Sequence, residues 1–115
     1  MINFITITNV NDNFIEFSDG SRITYDHDQD CCEDNYADFK QLEDYAHKHK
    51  FYLPLRFEAV ENAGFRFGDC RMMFFIPCYS DQNGYYTDQI DIYYSHNNNG
   101  NKPVLSFGAE MRDAY

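Results

Sequence analysis

The residues best suited to chemistry stand together in Asp26-His27-Asp28-Gln29-Asp30-Cys31-Cys32-Glu33-Asp34. This stretch holds five acids, two of the four cysteines and one of the four histidines. Carboxylates at alternate positions suit a hard cation, and Asp26-x-Asp28-x-Asp30 matches the opening of a calcium loop. The EF-hand pattern then fails twice. Cys31 stands where glycine makes the sharp turn, and Ala37 stands where glutamate closes the shell. What remains is an acidic turn that binds Ca²⁺, Mg²⁺ or Mn²⁺ weakly through Asp26, Asp28, Asp30 and Glu33. His27 and Cys31 add softer donors for Zn²⁺. The cysteine spacings do not match a structural zinc site: Cys31 and Cys32 are adjacent, and seven residues separate Cys70 from Cys78. A divalent metal is therefore an alternative to no cofactor at all.

Other chemistry is weaker. A thiolate at Cys31 gains from a helix N-terminus but loses to the carboxylates of Asp28, Asp30, Glu33 and Asp34 around it. Four carboxylates outweigh the roughly half charge of one helix end. There is no phosphate-binding glycine loop, no G-x-S-x-G and no H-E-x-x-H. His47 and His49 fall on different sides of a helix and make no ligand pair. No residue is assigned a catalytic role.

Charge narrows the partners. The formal net charge is −10, and residues 12–44 carry eleven acids against two bases. The remaining acids and bases nearly cancel. Such a field repels nucleic acid and anionic lipid and attracts cations and basic protein surfaces. No apolar stretch approaches the roughly 20 residues of a membrane span. The N-terminus, Met1-Ile2-Asn3-Phe4, lacks the basic and apolar regions of an export signal, so reduced thiols and a cytoplasmic location are expected.

The elements that position these residues read as α+β in one domain: an antiparallel sheet of roughly six to eight strands with one main helix packed on a face. Residues 2–8, 14–17 and 22–25 predict a meander, with Asp19-Gly20 as a tight hairpin turn. If the third strand runs on to Asp28, Ile23, Tyr25 and His27 share one face, and Asp26 and Asp28 project together from the other. Cys32, Tyr36, Phe39, Leu42, Ala46 and His49 recur at helical spacing and predict a helix over about 31–48. Asp30 and Glu33 would cap it, and Glu33 and Asp34 would complement its dipole, a purely structural use for the acids. Further strands are expected at 55–60, 65–67, 72–76, 90–94 and 104–107. Pro77 would end its strand or mark a bulge or edge, and 109–115 would fray.

A second distinctive run is Cys78-Tyr79-Ser80-Asp81-Gln82-Asn83-Gly84-Tyr85-Tyr86. Asn83-Gly84 is a hairpin signal. Tyr85 and Tyr86 point to opposite faces of a strand, so Tyr79, Tyr85 and Tyr86 cannot all enter the core. With Asn83 they form a candidate docking patch, since tyrosine is enriched at protein interfaces. Asp19-Gly20, then Asp30-Cys31-Cys32-Glu33 at a helix start, then Asn83-Gly84-Tyr85-Tyr86 resemble a family of small bacterial and phage proteins. The resemblance spans most of the chain. It implies an intact single domain, no assigned activity and no catalytic residue.

Two functions follow. In the first, the protein is a non-enzymatic module that meets a basic protein surface through Asp34, Asp38 and Asp44, aided by the tyrosine hairpin. In its sharpest form it imitates nucleic-acid charge, as phage-type inhibitors do. In the second, Asp26, Asp28, Asp30 and Glu33, with His27 or Cys31, hold a metal in a structural or hydrolytic site.

Overall fold

The computed structural model describes residues 3–26, 34–40, 42, 49–82, 89–96 and 102–113. Among them, nearly all regular structure is strand. In chain order these are β1 (Phe4–Val10), β2 (Phe14–Phe17), β3 (Ser21–Asp26), β4 (Asp34–Ala37), β5 (Lys50–Tyr52) and β6 (Arg56–Val60). There follow β7 (Gly64–Gly68), β8 (Met73–Gln82), β9 (Gln89–His96), β10 (Leu105–Gly108) and β11 (Glu110–Asp113).

The meander forms as its pattern dictates. Ile5, Ile7, Ile15, Phe17 and Ile23 alternate into the core, while Arg22, Thr24 and Asp26 take the other face of β3. Gly20 adopts φ 86° in the hairpin turn, a left-handed conformation that glycine enters freely. β5 extends the meander beyond β1, and β9 and β10 extend it beyond β3, giving the order β10-β9-β3-β2-β1-β5.

The second sheet runs β11-β8-β7-β6, with β4 also on β8. Its pairings are antiparallel except β11 with β8. Phe65, Phe67, Phe74, Ile76 and Cys78 from this sheet pack with Phe17, Phe51, Ile90 and Ile92 of the first. The Phe51 ring stacks 5.5 Å from Phe67, and Phe17 meets both edge-on or nearly so. Such aromatic pairs add about 0.5–1.5 kcal/mol each beyond area burial.

The α+β expectation is therefore corrected: the fold is two β-sheets, and no helix packs on either among the described residues. Of the segment 31–48, residues 34–37 are strand β4, and Phe39, Lys40 and Leu42 make only a tight 3₁₀ turn. Residues 31–33, 41 and 43–48 lie outside the described set. Asn35, Ala37 and Phe39 are buried while Tyr36 and Asp38 are half-buried, which is period two. In place of one expected sheet of six to eight strands there are two among the described residues, one of six strands and one of five with β11, β8, β7, β6 and β4. The expected frayed tail holds β11 at 110–113.

Pro77 does not end its strand. β8 changes partners there: β7 pairs with residues 73–77, and β4 and β11 flank residues 78–81 and 79–82. Pro77 has no N–H to leave unpaired, and its carbonyl accepts the Asp38 N–H at 2.9 Å.

β5 ends the first sheet, and its outer backbone groups are met by side chains rather than a strand. Asp69 Oδ2 accepts the Tyr52 N–H at 2.8 Å, and Arg71 Nη2 donates to the Lys50 carbonyl at 3.3 Å. Asp69 Oδ1 also accepts the N–H groups of Arg71 and Met72 at 2.8 and 3.1 Å. A carboxylate and a guanidinium thus stand in for a neighbouring strand. They close an edge that would otherwise recruit another chain, and they tie β5 to the β7–β8 turn of the other sheet.

Candidate functional site

The sequence concentrates its chemistry in 26–34 and 78–86. The structure shows what bounds each. Asp26, the last residue of β3, lies in register with Asp91 of β9. Asp34, the first of β4, lies in register with Asp81 of β8. The chain therefore enters 27–33 beside β9 and leaves it beside β8. It enters 83–88 from β8 and leaves it into β9. Two stretches some fifty residues apart in sequence begin and end at one end of the fold.

Asn35 fixes this junction. It is fully buried, its Nδ2 donates to the Gln89 carbonyl at 3.2 Å, and its Oδ1 accepts the Ser80 hydroxyl. One side chain thereby joins β4, β8 and β9. On the opposite face, Tyr36 and Tyr79 are in register with ring centroids 5.7 Å apart, and Glu110 of β11 continues the row.

The electrostatics at this end are acidic. Asp26 faces Asp91 across β3 and β9, whereas Asp81 has Asp34 of β4 in register on one side and Arg112 of β11 on the other. Tyr93 records the field: loss of hydration raises its hydroxyl pKa, and Asp91 and Asp26 raise it further. Ser106 Oγ donates to Asp91 Oδ1 at 2.6 Å and holds that carboxylate in place. The Lys40–Asp12 pair, at 3.3 Å, is largely exposed on both sides and contributes little.

The expected site residues divide as follows. Asp34 stands at the junction, Asp38 is half-buried just past β4, and Tyr79 lies on the outer row. Asp44, Asn83, Tyr85 and Tyr86 lie outside the described residues. Of the metal set, Asp26 ends β3, whereas His27, Asp28, Asp30, Cys31 and Glu33 lie outside the described residues. Among the described residues no group of three or more His, Cys, Asp or Glu is placed to hold a metal ion. Sequence reasoning missed Tyr36, Asp81 and Asp91. Only the strand register places them together, and no local motif announces it.

The two described cysteines differ. Cys70 is exposed in the β7–β8 turn, whereas Cys78 is fully buried. Burial pushes the Cys78 thiol far above its ordinary 9.0, and the thiolate is the reactive form. In the folded protein at pH 8 a maleimide is expected to modify Cys70 and spare Cys78, with Cys78 labelled only in denaturant. Peptide mass mapping checks this. Half-buried His49 packs its ring 4.6 and 4.9 Å from those of Phe51 and Phe74, and His47 lies outside the described residues.

No family model, curated protein or solved structure matches the chain. No helix among the described residues is long and apolar enough to cross a membrane.

Proposed function

We propose that this protein is a binding module that engages a basic protein surface through its acidic, tyrosine-bearing end. The observation that supports this is that β3 ends and β4 begins beside β9 and β8 at one end of the fold, where Asp26 is in register with Asp91 and Asp34 with Asp81. The tyrosines supply rigid amphipathic contact area beside the charge. In the sharpest form of the reading, the partner is a nucleic-acid-binding protein and the acids occupy the place of phosphates.

Capture on wild-type bait and on bait carrying Asp26→Lys, Asp38→Lys and Asp81→Lys tests this. The triple reversal is expected to weaken binding of captured basic proteins at least tenfold, about 1.4 kcal/mol. Rising salt should weaken wild-type binding in the same direction. Duplex DNA should displace a captured protein if nucleic-acid mimicry holds. Capture unchanged by the reversal removes the proposal. Unfolding midpoints of both baits confirm that the variant is folded.

A further inference from the structure

We propose that the docking surface continues along the outer face of β8, and that its occupant is a basic amphipathic helix of the partner. The proposal rests on the reading of the acidic end as a docking face and names the partner element that fits it. Along β8, Phe74, Ile76, Cys78 and Ser80 are buried on the inner face, so Met73, Phe75, Pro77 and Tyr79 stand on the outer one. All four are apolar or aromatic. A strand apolar on both faces belongs where both faces are covered. Here Pro77 is buried and Met73 and Tyr79 are half-buried, but Phe75 is 43% exposed. Tyr36 of β4 widens the row beside Tyr79.

Charge and width identify the occupant. β4 and β11 pair with overlapping parts of β8, residues 78–81 and 79–82, and therefore lie on its opposite edges. Each edge carries an acid beside the row. Asp38, one residue past β4, has its N–H on the Pro77 carbonyl at 2.9 Å. Glu110, the first residue of β11, is exposed and in register with Tyr79. Neither carboxylate joins an ion pair among the described residues. Nearby cations are placed elsewhere: Arg112 is in register with Asp81, and Arg66, in register with Phe75, is engaged by Glu58.

The face is thus an apolar row with one unpaired acid on each side. Two strand spacings set those acids about 10 Å apart across the row, and a helix with its side chains is about 10–12 Å wide. A helix lying along β8 sets an apolar stripe on Phe75 and Tyr79 and basic residues on both flanks. From Phe75 to Tyr79 is about 13 Å at roughly 3.3 Å per residue, a length that about nine helical residues cover. A partner strand presents a single row of side chains to this face. It could not reach both acids with an apolar row between them.

The probe is a leucine–lysine peptide of about 18 residues, or five turns, with its leucines on one helix face. It is titrated at about 0.15 M salt beside a scrambled peptide of the same composition and beside decalysine. Wild type is expected to bind the amphipathic peptide at least about tenfold tighter than the scrambled one. Phe75→Ser should lose that advantage and keep its affinity for decalysine. Asp38→Asn with Glu110→Gln should weaken the amphipathic peptide and flatten its salt dependence. Amide shifts with this peptide should fall at Tyr36–Asp38, at Met73–Tyr79 and at Glu110. Equal binding of the amphipathic and scrambled peptides, or shifts centred on Phe4, Leu53 and Met72, overturns the proposal on wild type alone, whether or not Phe75→Ser folds. An unchanged advantage in a folded Phe75→Ser overturns it too. If decalysine binding falls with Asp26→Lys and Asp81→Lys while the amphipathic peptide gains nothing from Phe75, only this inference falls. If that peptide binds through Phe75 while decalysine binding ignores the two reversals, only the reading of the acidic end falls.

Discussion

Replacing Asp69 with alanine is expected to lower the unfolding free energy by about 3–5 kcal/mol, a large part of the stability of a small domain. The carboxylate is buried and accepts three backbone N–H groups, from Tyr52, Arg71 and Met72. Hydrogen bonds to a charged group contribute roughly 1.5–3 kcal/mol each, and they are not additive because freed amides regain some water. The same loss opens the β5 edge, so the variant is also expected to self-associate. Asp69→Asn is a sharper probe: its amide nitrogen turns a donor toward the Tyr52 N–H. Burial alone would raise the Asp69 pKa, but the three N–H groups and Arg71 hold it below its ordinary 3.8. The unfolded chain therefore takes up this proton at higher pH than the folded one. The stabilisation is whole above the unfolded value and is lost as pH falls through the folded value. Urea unfolding between pH 7 and pH 2 should show a steeper acid loss in wild type than in Asp69→Asn. Equal slopes would contradict the role given to this carboxylate.

Gly64→Ala is expected to cost about 3 kcal/mol or more, at the upper end of overpacking effects. A Cβ at Gly64 would lie 2.1 Å from the Ile76 carbonyl oxygen, 2.9 Å from the Pro77 Cα and 3.0 Å from the Cys78 nitrogen. All three are backbone atoms of β8. That strand cannot easily retreat, because β7 pairs with its first half and β4 and β11 clamp its second. Gly20→Ala is the control. Its φ is also positive, but nothing lies within 4 Å of an added Cβ, so only the left-handed strain of about 1–2 kcal/mol remains. Urea midpoints of the two variants are expected to differ clearly, with Gly64→Ala much the lower. Matching midpoints would show that β7 and β8 are looser than their register implies.

The strands were legible where polar and apolar residues alternate or where an apolar run is continuous. Ile5, Ile7, Ile15, Phe17 and Ile23 disclose the meander, and Asp19-Gly20 its turn. Residues 56–60, 64–68 and 89–96 follow the same logic. β4 was hidden by Asn35. An inward asparagine reads as polar, so the alternation Asn35, Ala37, Phe39 is masked and the 3.6-residue spacing of Tyr36, Phe39 and Leu42 dominates. Only its distant partners, Ser80 and Gln89, make that asparagine a core residue. β5 was hidden by brevity: its three residues, Lys50, Phe51 and Tyr52, are too few to carry a period, and their outer edge is completed by Asp69 and Arg71 from elsewhere in the chain. Pro77 misled for a related reason, since a proline is tolerated inside a strand where the neighbour changes. The acidic stretch was visible as composition. That its two bounding strands, β3 and β4, meet β9 and β8 at one end was not, because this depends on the registers Asp26–Asp91 and Asp34–Asp81.

The most direct measurement of the central claim is a backbone amide map of the labelled protein titrated with decalysine at physiological salt. Shifts are expected to concentrate at Asp26, at Asp34–Ala37, at Tyr79–Gln82 and at Gln89–Asp91, and to shrink with Asp26→Lys and Asp81→Lys. Shifts spread evenly over the surface, or centred on Phe4 and Lys50–Leu53, would contradict an acidic end built to meet a basic partner.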